Sequence, residues 1–305
     1  MARALVRTLN NKKNVLINGD FTFSQRAAGF ANSGGSLVRG IDRWNFWVGN
    51  PMASTMTRET PLQLGGFAMR IQRTAGVTGV TNTQITQHVD LGAVRALAGK
   101  QVTLSFYIRK GANFSPTFFR AQICTGTAAS EVNLVTGGFT GRLDQELNLI
   151  PLITTTQQRL SFTVTIPTNA QQLAVNFYTD TPVGTAGAND WYELEKVMLT
   201  EGEGVSPFVL SSDTYQQELT ICQRYYEFGN SNFCFNAPGV GMSTDFKQFI
   251  AFQVYKRTAP VVVAPISGPG TMQGINAQSF GFFLTWTSGN NNNFTLSGWT
   301  ADAEL

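Results

Sequence analysis

Val102-Thr-Leu-Ser-Phe-Tyr-Ile108 alternates strictly, with Val102, Leu104, Phe106 and Ile108 on one face of an extended chain and Thr103, Ser105 and Tyr107 on the other. A helix would scatter these apolar residues around its circumference, so the stretch predicts a half-buried β-strand. Leu160, Phe162, Val164 and Ile166 repeat the pattern until Pro167 stops it, and Leu173, Val175 and Phe177 form a third row. Tyr192, Leu194, Lys196 and Met198 are expected to close the series, and Val15–Phe21 to open it as a short strand ending in a turn. Turns rich in Gly, Asn, Ser and Thr separate these rows, the pattern of a β-sandwich over residues 14–210. Within it, residues 92–99 predict one short helical turn ended by Gly99.

One longer helix is predicted at about 213–227. Thr214 with Gln217 three residues on has the form of a capping box. Tyr215, Leu219, Cys222 and Tyr226 would share a face, and Gly229 would terminate the helix. Strands resume at 249–255, 260–264, 279–286 and 293–299, with Gly289–Asn293 as a loop. The organisation is therefore all-β: a sandwich at 14–210, a connecting helix at 211–229 and a smaller β domain at 230–305, preceded by a basic segment at 1–13.

Composition narrows the function. Of 305 residues, 13% are charged, against about 25% in a typical soluble domain, while 42% are apolar, which excludes a disordered chain. No apolar run reaches the length of a bilayer span, so membrane insertion is not expected. A net charge of +3 gives no reason to expect nucleic acid as a partner. Arg7 interrupts the apolar core a secretory signal needs, and Cys124, Cys222 and Cys234 fit neither a zinc spacing nor a disulfide framework. Free thiols and assembly in a reducing cytoplasm are expected.

His88 is the one histidine, so no nucleophile–base–orienter set can be built around it, and it reads as structural. The paired glycines at 34–35, 65–66 and 137–138 lack the context of a phosphate loop and read as turns. The 19 acidic residues make a nearby carboxylate pair inevitable and therefore uninformative. In Asp42-Arg43-Trp44-Asn45-Phe46-Trp47, Trp44 and Phe46 are expected in the core and Trp47 on the surface, where its ring suits stacking on a sugar.

Several segments resemble one family. Asn14–Phe21, Ser24-Gln25-Arg26 and Asp42-Arg43-Trp44 look like the opening of a jelly-roll module in bacteriophage tail proteins, similar to the carbohydrate-binding jelly rolls of bacterial xylanases. Leu97–Arg109 matches its middle strand, Trp191–Gly202 its closing strand and Val205–Phe208 its exit. Glu218–Glu227, Lys256–Val263 and Ala301–Leu305 look like the carboxy-terminal half of phage tail-fibre and virion surface proteins.

The resemblance implies a jelly-roll β-sandwich followed by a short helix and a smaller β domain, in a structural protein of a tailed-phage virion. The expected role is a tail fibre or receptor-facing appendage contacting host surface glycans, without enzymatic activity. The expected partners are other virion proteins, and the expected state is a homotrimer joined through 230–305, with 1–13 as an anchor. The rival readings are a head-decoration or capsid-fibre protein, a virion-associated glycan-degrading or deacetylating enzyme, and a connecting baseplate or adaptor component. Trp47, Tyr107 and Trp191 are the sugar-binding candidates. No cofactor is implied beyond the structural calcium of xylanase-type modules, whose positions here are Asp20 and Glu195; Lys196 beside Glu195 opposes a cation.

Overall fold

The computed structural model describes residues 13–60, 65–237, 245–267, 270–285 and 292–304. Residues 1–12 of the expected anchor, residue 286 of the expected strand 279–286 and residues 289–291 of the expected loop lie outside them, and so does the Cys234 side chain. Twelve strands precede the longer helix: β1 (Gly29–Asn32), β2 (Ser36–Arg39), β3 (Asn45–Val48), β4 (Ser54–Glu59), β5 (Ala68–Arg73) and β6 (Thr83–His88), then β7 (Gln101–Lys110), β8 (Pro116–Gly126), β9 (Leu143–Asn148), β10 (Gln158–Thr165), β11 (Gln172–Pro182) and β12 (Trp191–Glu201). They form two six-stranded antiparallel sheets, ordered β1-β4-β5-β12-β7-β10 (sheet A) and β2-β3-β6-β11-β8-β9 (sheet B). Non-sequential neighbours in both sheets are the mark of a jelly roll rather than a meander. The alternating rows read from the sequence face each other: Leu104, Phe106 and Ile108 of sheet A pack with Val175, Phe177 and Ile123 of sheet B in one core. The short helix α1 (Leu91–Leu97) precedes β7, and Gly99 follows it with a φ of 78°.

Three local expectations are corrected. Val15–Phe21 is a turn, not a strand, because Asn18 and Phe21 take positive φ values of 55° and 58°. Gly19 is required there, since a Cβ would come within 2.1 Å of the Val197 carbonyl oxygen. In β12 the register shifts between Glu195 and Met198, with Lys196 at a φ of 49°. This bulge adds one residue, so the buried row runs Tyr192, Leu194, Val197, Leu199 and Lys196 leaves it. The longer helix α2 spans only Tyr215–Gln223; its Thr214–Gln217 capping box is present, but its buried residues are Glu218 and Cys222, and Tyr215 is exposed. Tyr226 and Gly229 belong instead to strand β13 (Tyr226–Ala237), whose pairing begins at Tyr226↔Asp302.

After β13 come β14 (Asp245–Ala251), β15 (Val261–Val263), β16 (Ile266–Ser267), β17 (Gly270–Gln273), β18 (Ser279–Thr285) and β19 (Asn292–Asp302). They make one sheet of β13, β19, β15 and β16 and another ordered β14-β18-β17, around a small core of Phe252, Val262, Phe280, Leu296, Trp299 and Ala301.

The two β units meet through polar residues. Arg43, at a φ of 74°, pairs with Glu304, donates to the His88 carbonyl at 2.9 Å and stacks 3.4 Å over the Tyr225 ring. Both side chains of the ion pair are 3% exposed. Arg26 pairs with Asp302, Gln25 donates to the Tyr226 carbonyl, and Glu218 of α2 accepts from the Asn18 backbone N–H. Removing one partner of a buried pair strands the other charge, so Arg43→Met is expected to cost about 3–5 kcal/mol in urea unfolding. The double variant Arg43→Met/Glu304→Met should cost less than the sum of the single changes.

His88 is buried and neutral: its Nε2 accepts the Leu134 N–H at 2.7 Å. Burial, then the Arg43 and Arg257 charges, push its pKa down from 6.5 to about 3. Below pH 6.5 the unfolded chain therefore takes up a proton that the folded chain refuses. Stability should fall as the pH drops from 6.5 towards 3, by up to about 1.4 kcal/mol per unit from this group. Chemical denaturation across that range should show a steeper pH slope for the natural chain than for His88→Gln. Burial also raises the pKa of the Cys124 and Cys222 thiols well above the ordinary value. Alkylation at pH 8 followed by peptide mapping should find both unmodified until the chain is unfolded.

Candidate glycan-binding face

Because side chains alternate along each strand, every core residue of a sheet implies an outward neighbour. The three aromatics predicted as a sugar platform fall on two different outward faces. Tyr107 and Trp191 lie on sheet A and Trp47 on sheet B. On sheet A arginines stand near the rings. The Arg70 and Arg109 guanidiniums sit 4.5 and 5.6 Å from the Trp191 ring, and a Cβ on Gly111 would approach its indole to 2.8 Å. Both arginines bind Glu193, which is 1% exposed. Arg159 stands 5.4 Å from the Tyr107 ring and is itself bound to the Ser206 carbonyl.

Sheet B offers a different surface. Trp47 pairs with Gln84, Gln84 with Tyr178, Tyr178 with Arg120 and Arg120 with Asn148, so five adjacent strands place one outward residue each in a single row. A second row beside it runs Asn45, Thr86, Asn176, Gln122 and Glu146. With strands about 4.8 Å apart, each row is about 19 Å long, room for several sugar rings in line. Trp47 and Tyr178, two strands apart, stand about 10 Å from each other along it.

The rows are wired together. Asn176 Nδ2 donates to Gln122 Oε1 at 2.8 Å and to Gln84 Oε1 at 3.3 Å, and Gln122 Nε2 donates to Glu146 Oε2 at 3.0 Å. Arg120 donates to Glu146 Oε1 at 3.1 Å and to Asn148. Its guanidinium lies 4.2 Å over Phe118, which meets the Tyr178 ring edge-on at 5.5 Å. The Tyr178 hydroxyl donates to Asp180 at 3.0 Å, and burial followed by that bond raises its pKa. Asn176 and Thr86 are fully buried on the floor of the face. Among the described residues, Asn176 Oδ1 and Thr86 Oγ1 nevertheless find no partner, and neither does Asn82 Oδ1. Buried polar atoms are normally satisfied, so orphans on the outward side of a sheet mark where water or a ligand completes them.

The face is only half open. Residues 127–142 fold over its far end, where Leu134 and Phe139 pack on Cys124 and Ala174 and Phe139 meets His88 edge-on. Trp44 and Phe46, 1% and 0% exposed, are core as expected, and Trp47 is half-buried. Sequence reasoning missed Tyr178, Arg120, Gln84, Asn176, Gln122 and Glu146. Their signal was present in the polar alternates of the Leu173–Val175–Phe177 row and its neighbours.

The residues implied for calcium do not fit a cation. Asp20 accepts from the Thr22 N–H and hydroxyl and from the Tyr215 hydroxyl. Glu195, on the outward face of sheet A, accepts from Gln157, and burial raises its pKa, which favours the neutral carboxyl. Among the described residues no three His, Cys, Asp or Glu side chains gather as a metal site.

No family model and no curated protein matches the chain. Among solved structures it is similar to the enzymatically active domain of tailspike protein 4 from bacteriophage CBA120, at 13% identity over 62% of this chain and 21% of that one, with a TM-score of 0.39. It is also similar to the xylan-binding CBM22-1 domain of Xyn10C from Paenibacillus barcinonensis, at 9% identity over 64% of this chain and 97% of that one, with a TM-score of 0.34. A Stig cyclase from Fischerella sp. TAU matches at 11% identity over 64% of this chain and all of its own, with a TM-score of 0.41. The chain thus spans about a fifth of the tailspike domain, and the likeness throughout is one of strand arrangement.

Proposed function

We propose that this chain is a glycan-binding structural protein of a tailed-phage virion, a tail fibre or receptor-facing appendage without catalytic activity. The observation that carries the binding role is the open half of sheet B, where Trp47 and Tyr178 offer rings and Gln84, Asn176, Gln122, Arg120 and Glu146 offer a pre-organised set of donors and acceptors. A linear saccharide laid across the strands would stack on the rings and bond its hydroxyls to the amides between them. Of the three aromatics named from the sequence, Trp47 alone is retained, since arginines held by other groups approach the rings of Tyr107 and Trp191. The virion role rests on the resemblance of the Asn14–Phe21, Asp42–Trp44 and Glu218–Glu227 segments to phage tail proteins.

In this reading the chain joins other virion proteins and acts as a homotrimer, so that several weak sites combine. The carboxylates near the rings are engaged in holding the sheets rather than poised for hydrolysis. Glu146 is bonded to Arg120 and Gln122, and Glu193 on the other sheet is buried beneath two arginines.

The test is an array of bacterial surface polysaccharides followed by calorimetry on the best oligosaccharide. Trp47→Ala and Tyr178→Ala are each expected to weaken binding at least about tenfold, some 1.4 kcal/mol, with unchanged circular dichroism. Trp191→Phe should bind like the natural chain. Equal binding by all the variants would overturn the assignment of the face.

A further inference from the structure

The segment between β8 and β9 folds as a self-contained strap. Its ends are closed by the Thr127 N–H on the Thr140 carbonyl at 2.9 Å. Gly138 and Gly141 take left-handed φ values of 69° and 59°. At the tip, the Asn133 carbonyl accepts the Gly137 and Gly138 N–H groups, and the Asn133 side chain accepts those of Val135 and Thr136. Leu134 and Phe139 of the strap, with Cys124 and Ala174 beneath them, form a cluster separate from the main core. Lifting the tip therefore breaches only this small cluster.

The strap lies on sheet B. Ala174 pairs with His88 and with Cys124, and Cys124 pairs with Asp144. These residues make a third outward row beside Asn45, Thr86, Asn176, Gln122 and Glu146, and Leu134 and Phe139 cover its middle. One tie on the tip comes from the sandwich itself, where Gln172 donates to the Ser130 carbonyl at 2.7 Å. Two others lead to the second β unit. Glu131 accepts the Leu91 N–H at 3.3 Å with one oxygen and pairs through the other with Arg257. Arg257 is fixed in turn by its N–H on the Arg224 carbonyl at 2.9 Å and its Nε on the Ala303 carbonyl at 3.3 Å. The Leu134 N–H rests on His88, whose carbonyl receives Arg43, the partner of Glu304. Both routes end on the last residues of the chain.

We propose that the second β unit controls this strap. While Arg257, Ala303 and Glu304 are seated, residues 130–139 stay closed over the third row; movement of the second unit away from Glu131 releases them. The Arg257 and Glu131 side chains are 12% and 33% exposed, so water partly screens the pair. Its loss is expected to raise the open population about fivefold, the upper range for such a pair. Opening uncovers Ala174 and Cys124, both small, and widens the face of sheet B from two rows to three. The coupling is reciprocal, so a ligand seated on the third row would loosen the hold of the second unit. That the widened face admits a branched saccharide rests on the glycan-binding reading; the control of the strap does not.

The experiment is hydrogen exchange of the full chain read by mass spectrometry, which needs no saccharide. In Glu131→Gln and in Arg257→Gln, the amides of 130–139 are expected to exchange about fivefold faster than in the natural chain, with α2 and β11 unchanged. The double variant should exchange no faster than either single one, because both remove the same tie. Alkylation of Cys124 should quicken in step while Cys222 stays protected. Unchanged exchange at 130–139 in either variant would overturn the proposal, since the sandwich would then hold the strap alone. An equal rise in α2 of Glu131→Gln would overturn it too, as a loosening of the whole fold. Calorimetry of Glu131→Gln with linear and branched oligosaccharides separates the ligand question: an open strap with no binding of either sinks the glycan reading and leaves the control of the strap standing.

Discussion

Arg43 carries a charge into an interface from which water is excluded, and the meeting of the two β units is arranged around that fact. An unpaired buried guanidinium would cost several kcal/mol, so the fold must deliver Glu304, a carbonyl and an aromatic face to it. Glu304 comes from the last residues of the chain, the carbonyl from His88 at the end of β6, and the ring from Tyr225 just after α2. Around it, Asn18 ties its own turn to Asp42, to Trp44 and to Glu218 of α2. Asp42 takes two bonds from Gln25, and burial raises its pKa in spite of them. Lys256, fully buried, ties α2 to the second unit through the Gln223 carbonyl and Glu227.

Several segments set far apart in the sequence converge at this junction. Asn14–Phe21, Ser24–Arg26, Asp42–Trp44, the α2 sequence, Lys256–Arg257 and Ala301–Glu304 are far apart in the chain and together in space. Their polar members form the junction, while Leu16, Phe21 and Trp44 belong to the sandwich core. These residues join the two β units, and the candidate face of sheet B lies elsewhere.

The strands that build the core were legible because burial imposes a period of two on adjacent residues, as in Val102–Ile108. The capping box at Thr214–Gln217 was legible for the same local reason. The positive φ values at Asn18 and Phe21 and the extra residue at Lys196 were not, since each is fixed by a neighbour distant in sequence. Gly19 against the Val197 carbonyl is one such neighbour and the Tyr226↔Asp302 pairing, which cuts the helix short, is another. The candidate face was illegible for a further reason. Trp47, Gln84, Tyr178, Arg120 and Asn148 come from five strands, and only the register of sheet B makes them a row. Trp191 shows the converse. Nothing in its local sequence hinted that Glu193 would gather two arginines against its ring.

The two outward faces differ in what stands over their rings: on sheet A arginines approach Trp191 and Tyr107, whereas among the described residues no guanidinium stands over Trp47 or Tyr178 on sheet B. The most direct test of this contrast is to map the side-chain amide and indole N–H resonances of the full chain with a bound oligosaccharide. Shifts confined to the Trp47 indole and the amides of Gln84, Asn176 and Gln122 are the result expected here. Shifts of the Trp191 indole with those groups unmoved would contradict the account.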